Sequence, residues 1–352
     1  MSRPILYSEA INEALFVAME KDQKVIKFGL GVDDPKGVFG TTLGLQERFG
    51  SERVFDMPTS ENGMTGIAIG ASLNGIRPVM THQRLDFFLL ALDQLVNNAA
   101  KWHFMFGGQS SIPITIRLIL GHGWGQGPTH SQNLQSWFAH IPGLKVVMPT
   151  TAADAKGLLL SSIFDENPVV FLEHRWLHNT IGEVPEGDFR IPIGKANLLK
   201  TGSDITIVSM SYMTIEALHA IEYLELNNIS CDLIDLRTVR PIDWELIFNS
   251  VGKTGRLLVL DTASEFCSVS SEIVATVVSK LFGKLKQAPM RIAQPDKASP
   301  TSFELTKHYY RRAEDIFKTV GEMLGVDLDT SDIINSRKFP HDVPGDWFKG
   351  PF

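Results

Sequence analysis

The sequence predicts an α/β protein with two domains. Its 352 residues are 43% hydrophobic and 21% charged, a composition typical of a globular protein with room for about two cores. Short, apolar, β-branched runs alternate with helical patterns, which is typical of a parallel sheet packed against helices. Between Trp176 and Ile193 glycines and prolines interrupt this alternation, which then begins again. The predicted segments are a first domain at 1–180, a linker at 181–200, a second domain at 201–326 and a tail at 327–352.

The strands are predicted where short runs rich in β-branched and other apolar residues have the length of a buried strand. In the first domain these runs are 24–28, 54–55, 113–120, 145–148 and 168–172. In the second domain they are 204–210, 231–235 and 256–261. An amphipathic helix is predicted at 214–226, because Ile215, Leu218, Ile221 and Leu224 fall on one side.

Composition and charge exclude several classes of protein. No apolar run approaches the roughly 18 to 20 residues of a membrane helix, and the N-terminus lacks the basic-then-apolar layout of a signal peptide, so we expect a cytoplasmic protein. Cys231 and Cys267 are far apart and have no CxxC spacing, which argues against a disulfide framework or a zinc site. The net charge of -7 is spread along the chain without a basic block, which argues against nucleic-acid binding.

The tail is polar after Asp327 and then rich in aromatic residues. Phe339, Trp347, Phe348 and Phe352 are the kind of side chains that dock on a surface, either of this chain or of a partner. A disordered end explains the same segment. The sequence leaves both interpretations open.

The densest group of candidate residues surrounds Glu61. A short strand leads through Pro58 to Thr59 or Ser60, either of which can cap a helix that begins near Glu61. The glycines within this helix, at about 1 kcal/mol each against alanine, indicate close contact between backbones. A carboxylate on the first turn is held rigidly at the edge where parallel sheets bind ligands. It can also serve only to favour the helix dipole.

The segment from Phe55 to Gly70 resembles the cofactor-activating segment in beta subunits of 2-oxo acid dehydrogenases. Further matches follow in order, at 93–101, 107–108, 130–132, 142–147, 154–158 and 235–241. The resemblance covers roughly residues 4–325. It implies two doubly wound domains, a thiamine diphosphate pyrimidine-binding domain with a mostly parallel sheet and a transketolase C-terminal-like domain.

The resemblance also implies a division of labour between two chains. This chain binds the aminopyrimidine, and an alpha-type chain holds the diphosphate through Mg²⁺ in an α2β2 assembly. The sequence agrees, because an enzyme complete in one chain needs a Gly-Asp-Gly segment. Here the Gly-Asp pairs at Gly187 and Gly345 are followed by Phe and Trp.

Two residues carry the implied chemistry. Glu61, hydrogen-bonded to the pyrimidine nitrogen, favours the imino tautomer that accepts the thiazolium proton, an exchange that glutamine cannot perform. His130 lies near the thiazolium in the family and orients substrate or passes protons. The alternative interpretation of His130 is a solvated histidine without a catalytic role, in a Gly- and Pro-rich loop. Thr59, Leu85 and Phe87 fall at positions that resemble the family's pyrimidine contacts.

Asp165 and Asn167 precede a buried strand, at positions that resemble the ligands of a structural monovalent cation such as K⁺ in this family. Oxygen ligands suit such an ion. A turn before a strand explains the same pair. The sequence does not distinguish the two.

The chain departs from the family at several positions. Leu30 replaces a glutamate of an acidic path between cofactor sites, and Leu85 aligns with an aromatic residue that contacts the pyrimidine, a role Phe87 can take. The tail has no counterpart. These departures indicate a specialised branch and put membership of a large lipoamide-linked complex in doubt.

Three hypotheses follow. The first is a beta subunit that decarboxylates a 2-oxo acid and transfers the acyl group to lipoamide, on a lipoyl acyltransferase, or to another acceptor. The second is a transketolase-type carbon–carbon ligase or transferase acting on a sugar-like ketone. The third is a non-catalytic structural partner. The residues do not reveal which 2-oxo acid or which acceptor is used.

Overall fold

The computed structural model describes residues 1–348 and 350, which form two compact units. The first contains Met1–Gly121, Trp137–Ile193 and, near the C-terminus, Trp347, Phe348 and Gly350. The second contains His122–Ser136 and Gly194–Asp346. The predicted α/β class with mostly parallel sheets is confirmed in both units.

The secondary structure alternates between strands and helices along the chain. The strands are β1 (Ser2–Leu6), β2 (Val25–Gly29), β3 (Val54–Asp56), β4 (Arg77–His82), β5 (Thr115–Leu120), β6 (Lys145–Val147), β7 (Val169–His174), β8 (Ile181–Pro185), β9 (Asn197–Lys200), β10 (Ile205–Ser209), β11 (Cys231–Asp235), β12 (Thr238–Arg240), β13 (Leu257–Ser264) and β14 (Met290–Gln294). The α-helices are α1 (Tyr7–Lys21), α2 (Leu45–Phe49), α3 (Glu61–Leu73), α4 (Leu85–Phe88), α5 (Ala100–Met105), α6 (Gln135–His140), α7 (Ala152–Ile163), α8 (Tyr212–Leu226), α9 (Trp244–Thr254), α10 (Val269–Leu281), α11 (Phe303–Thr306), α12 (Ala313–Leu324) and α13 (Ser331–Asn335). None of the helices in the described part of the chain has the length and apolar character needed to cross a membrane.

The first unit is built on a parallel sheet with the strand order β6-β7-β5-β4-β2-β3. Its central strands β5 and β7 are buried along their whole length, which explains their nearly uninterrupted apolar sequence. Because the strands are parallel, their carboxyl ends meet at one edge, where this class of sheet binds ligands. That edge carries Gly29, His82, Leu120 and His174.

The second unit has the strand order β14-β13-β10-β11-β9, with β9 antiparallel to β11 and the other pairs parallel. Its core joins the strands to α8 and α12 through apolar side chains such as Ile207, Ala217 and Phe317. Ile333, on α13 in the tail, is also fully buried in this core. The described part of the tail is therefore docked on the chain.

The segment 181–200, interpreted from the sequence as a linker, differs from that expectation. It contains β8, which pairs antiparallel with β1, and all of β9, which is an edge strand of the second sheet. Glycine and proline interrupt the segment without removing its strands, because residues from elsewhere in the chain supply the pairing.

Candidate functional site

Glu61 is the first residue of α3, which begins shortly after β3 at the ligand-binding edge. Ser60, one of the two predicted caps, stands at the N-cap position. Ser60 makes no side-chain capping hydrogen bond, and within the first turn the hydroxyl of Thr65 donates to the carbonyl of Glu61 at 2.8 Å. The helix start therefore places Glu61 near the carboxyl ends of the parallel strands.

Glu61 is buried, with the residue only 6% exposed, although its carboxyl oxygens are not among the fully enclosed polar atoms. Within the part of the chain that the structure describes, it accepts no hydrogen bond and forms no ion pair. Burying a carboxyl group without a partner costs free energy, so such a group in a folded protein calls for an explanation. A ligand nitrogen brought to this carboxyl would satisfy it, because a carboxyl group accepts a hydrogen bond when ionised and donates one when protonated.

The glycines of α3 do not make the close backbone contact that the sequence predicted. A β-carbon added at Gly70 would meet nothing within 4 Å, and one at Gly66 would lie 3.5 Å from the side chain of Gln94. Ile67, between them, is 63% exposed. This face of α3 is open, so a contact that needs small residues there must come from outside the described chain.

The other residues expected at the pyrimidine lie in different environments. Thr59 is exposed just before α3, and Phe87 is half-buried on α4. Leu85 is fully buried at the start of α4. Of the pair at 85 and 87, Phe87 has the accessible surface that a contact with a flat ring requires.

His130 lies in the second unit, at the end of a loop that is anchored near its start. The amide of Gly123 donates to the phenol of Tyr310 at 3.0 Å, and the amide of Trp124 donates to the Asp342 carboxylate at 3.3 Å. His130 is half-buried, with Nδ1 2.9 Å from the hydroxyl of Thr129. The contact with the neighbouring Thr129 orients the imidazole, but it is compatible both with a catalytic histidine and with a solvated loop histidine.

The loop also contains tightly fitted glycines. A β-carbon at Gly127, where φ is +64°, would lie 2.5 Å from the hydroxyl of Thr301. A side chain there would be strained in its backbone and would displace Thr301. This explains the glycine-rich composition before His130.

Asp165 and Asn167 form a turn whose oxygens already have partners. The amide of Asn167 donates to the Asp165 carboxylate at 2.9 Å, and Lys145 forms an ion pair with the same carboxylate. Arg77 donates to the carbonyl of Asp165 at 3.1 Å. The contacts favour the turn interpretation over a cation site. Among the described residues, no group of three or more His, Cys, Asp or Glu side chains is placed to hold a metal ion.

A buried group of charged residues in the first unit was not predicted from the sequence. Arg117 on β5 donates to Glu173 on β7 at 2.7 Å, and both side chains are fully buried. Lys27 on β2 donates to the hydroxyl of Thr81 at 2.7 Å. Burial, and then the charge of Arg117, hold the pKa of Lys27 well below its ordinary value. The sequence signal was a charged residue inside each of three apolar strands.

Comparison with known proteins gives consistent similarities over most of the chain. A family model described as transketolase, pyrimidine binding domain, matches residues 3–179, and one described as transketolase, C-terminal domain, matches residues 194–316. The chain is 40% identical over 326 residues to the acetoin:2,6-dichlorophenolindophenol oxidoreductase subunit beta of Cupriavidus necator, covering 90% of this chain and 96% of the relative. It is 39% identical over 317 residues to the pyruvate dehydrogenase E1 component subunit beta of Rickettsia felis, covering 90% and 97%.

A solved structure also resembles the chain. It is described as a split gene transketolase, inactive beta4 tetramer, and matches with a TM-score of 0.74 and 23% identity over 92% of this chain and 99% of that chain. At this identity the match supports the fold alone.

Proposed function

This chain belongs to the family of thiamine diphosphate-dependent beta subunits built from the transketolase pyrimidine-binding and C-terminal domains, and we propose that it is the beta-type half of a two-chain enzyme that decarboxylates a 2-oxo acid. The acyl group then passes to lipoamide or to another acceptor. The observation that carries this proposal is the buried position of Glu61 on the first turn of α3, where its carboxyl group has no partner among the described residues.

The residues present fit the aminopyrimidine half of the cofactor. Glu61 offers a carboxyl group that can exchange a proton with a ring nitrogen, in a residue that is mostly buried. Phe87 is a half-buried aromatic residue whose accessible face suits contact with a flat ring. When bound, thiamine diphosphate supplies the electron sink that decarboxylation of a 2-oxo acid requires.

His130 is proposed as the second catalytic side chain. Its contact with Thr129 orients the imidazole, and the ordered loop restricts where it can reach. A histidine that changes its protonation near neutral pH can pass a proton to an acceptor or orient a substrate oxygen.

An alpha-type partner is proposed to complete the site. This chain lacks the Gly-Asp-Gly segment that holds Mg²⁺ and the diphosphate. Six of the large apolar side chains that the first unit exposes are of the kind that subunit interfaces bury. They are Ile67 at 63% exposure, Leu90 at 68%, Phe104 at 89%, Met105 at 54%, Phe106 at 49% and Trp137 at 53%. A heterotetramer of two alpha and two beta chains would cover such surfaces.

A second substrate class is favoured by one comparison. The relative from Cupriavidus necator is named for acetoin, a 2-hydroxyketone, at 40% identity over 90% of this chain. Cleavage of the bond beside the carbonyl in such a ketone needs the same proton exchange at Glu61. A 2-hydroxyketone therefore belongs in any substrate panel alongside 2-oxo acids.

The test is co-expression with the candidate alpha chain, followed by measurement of thiamine diphosphate binding and of product formation from 2-oxo acids and acetoin. Glu61→Gln in the assembled complex should lower turnover by at least about a hundredfold, the usual range for losing a proton-transfer group. Glu20→Gln, which changes an exposed carboxylate on α1 paired with Arg48, serves as the control and should retain turnover. Full turnover by Glu61→Gln would refute the proposed role.

A further inference from the structure

Two arginines at the carboxyl edge of the first unit's sheet face the same aromatic ring. Arg84 follows β4 and Arg175 follows β7. Their guanidinium carbons lie 5.6 Å and 4.6 Å from the ring centre of Phe39. Both residues are buried, at 4% and 6% exposure. Two positive charges therefore share one small, enclosed region.

These two guanidinium groups have few polar partners. Arg84 donates to the carbonyl of Gln83 at 3.1 Å, and Arg175 donates to the carbonyl of Gly350 at 2.9 Å. The Nε atom of each arginine is enclosed and has no hydrogen-bond partner. Within the described residues neither arginine forms an ion pair, although the charge of Asp86 acts on Arg84 from farther away.

The other buried side-chain cations among the described residues have either a carboxylate partner or a lowered pKa. Carboxylates pair with three of them: Arg117 with Glu173 at 2.7 Å, Lys156 with Glu13 at 3.0 Å and Arg312 with Glu216 at 3.2 Å. Lys27 has no carboxylate partner, but its pKa is lowered well below the ordinary value, which favours the neutral amine. An arginine cannot relieve its burial in this way at neutral pH, because its pKa stays high.

Apart from the more distant charge of Asp86, no carboxylate among the described residues acts on the two arginines. Burial, and then the charge of Arg84, lower the pKa of Arg175 to about 10, so the group stays protonated at neutral pH. His174 is also buried, and its pKa is lowered to about 3, first by burial and then by Arg84. Burial, followed by Arg175, lowers the pKa of His178 well below its ordinary value. Two buried guanidinium charges without a counter-ion are costly to maintain.

We propose that Arg84 and Arg175 form a binding site for a small anion, a carboxylate or a phosphate ester, at the carboxyl edge of this sheet. Guanidinium groups bind both kinds of oxyanion through paired, charge-assisted hydrogen bonds. The free Nε donors supply such bonds, and Phe39 holds the two planar groups in place. Neither arginine is assigned a role in the proposed reaction, although both lie at the same edge of the sheet as the proposed cofactor site.

The C-terminal segment covers one side of this site. Phe348 lies against the Arg175 guanidinium at 5.3 Å, and the Gly350 carbonyl accepts one of its hydrogen bonds. An arriving anion would replace a neutral carbonyl by a charged oxygen, which is the stronger acceptor. This difference gives the anion a reason to bind although the guanidinium already has one partner.

The experiment measures thermal unfolding of the full-length chain while phosphate or acetate is titrated at constant ionic strength with chloride. A specific site gives a stabilisation that saturates in the millimolar range, whereas general salt effects grow without saturating. The two arms distinguish a phosphate site from a carboxylate site, and saturation by either supports the proposal. Saturation by neither overturns it.

Arg84→Met and Arg175→Met should each weaken the apparent affinity by about tenfold or more, the expected loss for one charge-assisted contact. Arg190→Met is the matched control, because Arg190 also stacks on a ring, that of Phe164 at 4.1 Å, but pairs with Asp188. Unchanged affinity in both test variants would overturn the assignment, and if one variant does not fold the other carries the test.

The same titration on the complex with the alpha chain identifies the occupant. Saturable stabilisation that persists in the complex supports a small anion. Its loss there would mean that a carboxylate of the partner fills the site, and the small-anion proposal would be overturned. None of these readouts depends on thiamine diphosphate or on turnover, so their failure leaves the proposed function untouched.

Discussion

The phenol oxygen of Tyr310 accepts a hydrogen bond from the backbone amide of Gly123 at 3.0 Å. The Tyr310 ring also stacks on His122, with ring centres 4.2 Å apart. These two contacts fix the start of the loop that ends at His130. The position of the proposed catalytic histidine is thus set by a residue far along the chain in the same unit.

Replacement of Tyr310 by phenylalanine should keep the stacking and remove the acceptor. The buried amide of Gly123 would lose its partner, at a cost of about 1–3 kcal/mol in the free energy of unfolding. Urea unfolding measures this cost. Tyr309→Phe is the control, since the Tyr309 hydroxyl contacts the carbonyl of the exposed Lys297 and should cost less. Equal losses of unfolding free energy in the two variants would show that the hydrogen bond to Gly123 does not stabilise the protein more than an exposed one.

In the complex with the alpha chain, Tyr310→Phe should also shift the pH dependence of turnover, because the loop would hold His130 less firmly. A stability loss with an unchanged pH profile would separate the loop's structural role from the proposed role of His130.

Much of the fold could be predicted because the relevant signals are local. The strand at 231–235 was predicted with the bounds that the structure shows, from its short run containing Cys231, Leu233 and Ile234. The start of α3 was predicted from Pro58, Ser60 and the glutamate that follows. These features depend on neighbouring residues, and the sequence contains all of them.

The remaining features depend on contacts between distant parts of the chain. β8 was interpreted as part of a linker because its partner strand, β1, lies at the other end of the domain. The pairing of Arg117 with Glu173 and the convergence of Arg84 with Arg175 on one ring require the order of the strands in the sheet. A charged residue in an apolar strand signals an unusual environment, but the sequence does not name its partner.

His82 should make the protein sensitive to acid. Its ring is 1% exposed, has no hydrogen bond at either nitrogen and lies 4.9 Å from the ring of Phe88. Burial, and then the charge of Lys27, lower the pKa of His82 to about 3 from an ordinary 6.5. Below pH 6.5 the unfolded chain therefore binds a proton that the folded protein does not, and stability falls as the pH drops toward 3.

The expected loss attributable to His82 is about 3 kcal/mol in the free energy of unfolding between pH 7 and pH 4. His82→Phe should abolish this part of the pH dependence, as measured by urea unfolding across the range. His140→Phe, at an exposed position on α6, should follow the unmodified protein. If His82→Phe loses stability with acid as steeply as the unmodified protein does, the buried neutral imidazole is not the cause.

Lys27 should change stability with pH in the same direction as His82, but in an alkaline window. Its folded pKa lies well below the unfolded value of about 10.4, so at neutral pH the unfolded chain holds a proton that folding must remove. This cost is largest at low pH and disappears as the pH rises through the unfolded pKa. Over the range from pH 7 to pH 10, Lys27→Met should therefore show its largest gain in the free energy of unfolding, relative to the unmodified protein, near pH 7.

That relative gain should shrink by about 1.4 kcal/mol per pH unit between the folded pKa and about 10.4. Loss of the contact with Thr81 adds a cost that does not vary with pH, so the slope is the informative quantity. Denaturant unfolding at pH 7, 8, 9 and 10 gives the slope. Lys24→Met, at an exposed site, is the control. The prediction is contradicted if the difference in unfolding free energy between Lys27→Met and the unmodified protein stays constant from pH 7 to pH 10.

The tail should contribute to the stability of the second unit through Ile333. This side chain is fully buried against the core that contains Phe317, while its neighbour Ile334 is 49% exposed. Nearby, Arg337 forms an ion pair with Glu314, which holds the same segment against α12.

Ile333→Ala should therefore lower the free energy of unfolding by about 2–4 kcal/mol, the cost of removing a buried isoleucine and leaving a cavity. Ile334→Ala removes the same atoms from the same short helix and should cost about 0.5 kcal/mol or less. Because the two substitutions change helix propensity equally, the difference between them in urea unfolding measures docking of the tail alone. Equal effects would mean that the tail leaves the core in solution, and the aromatic residues that follow it would then be free to meet a partner.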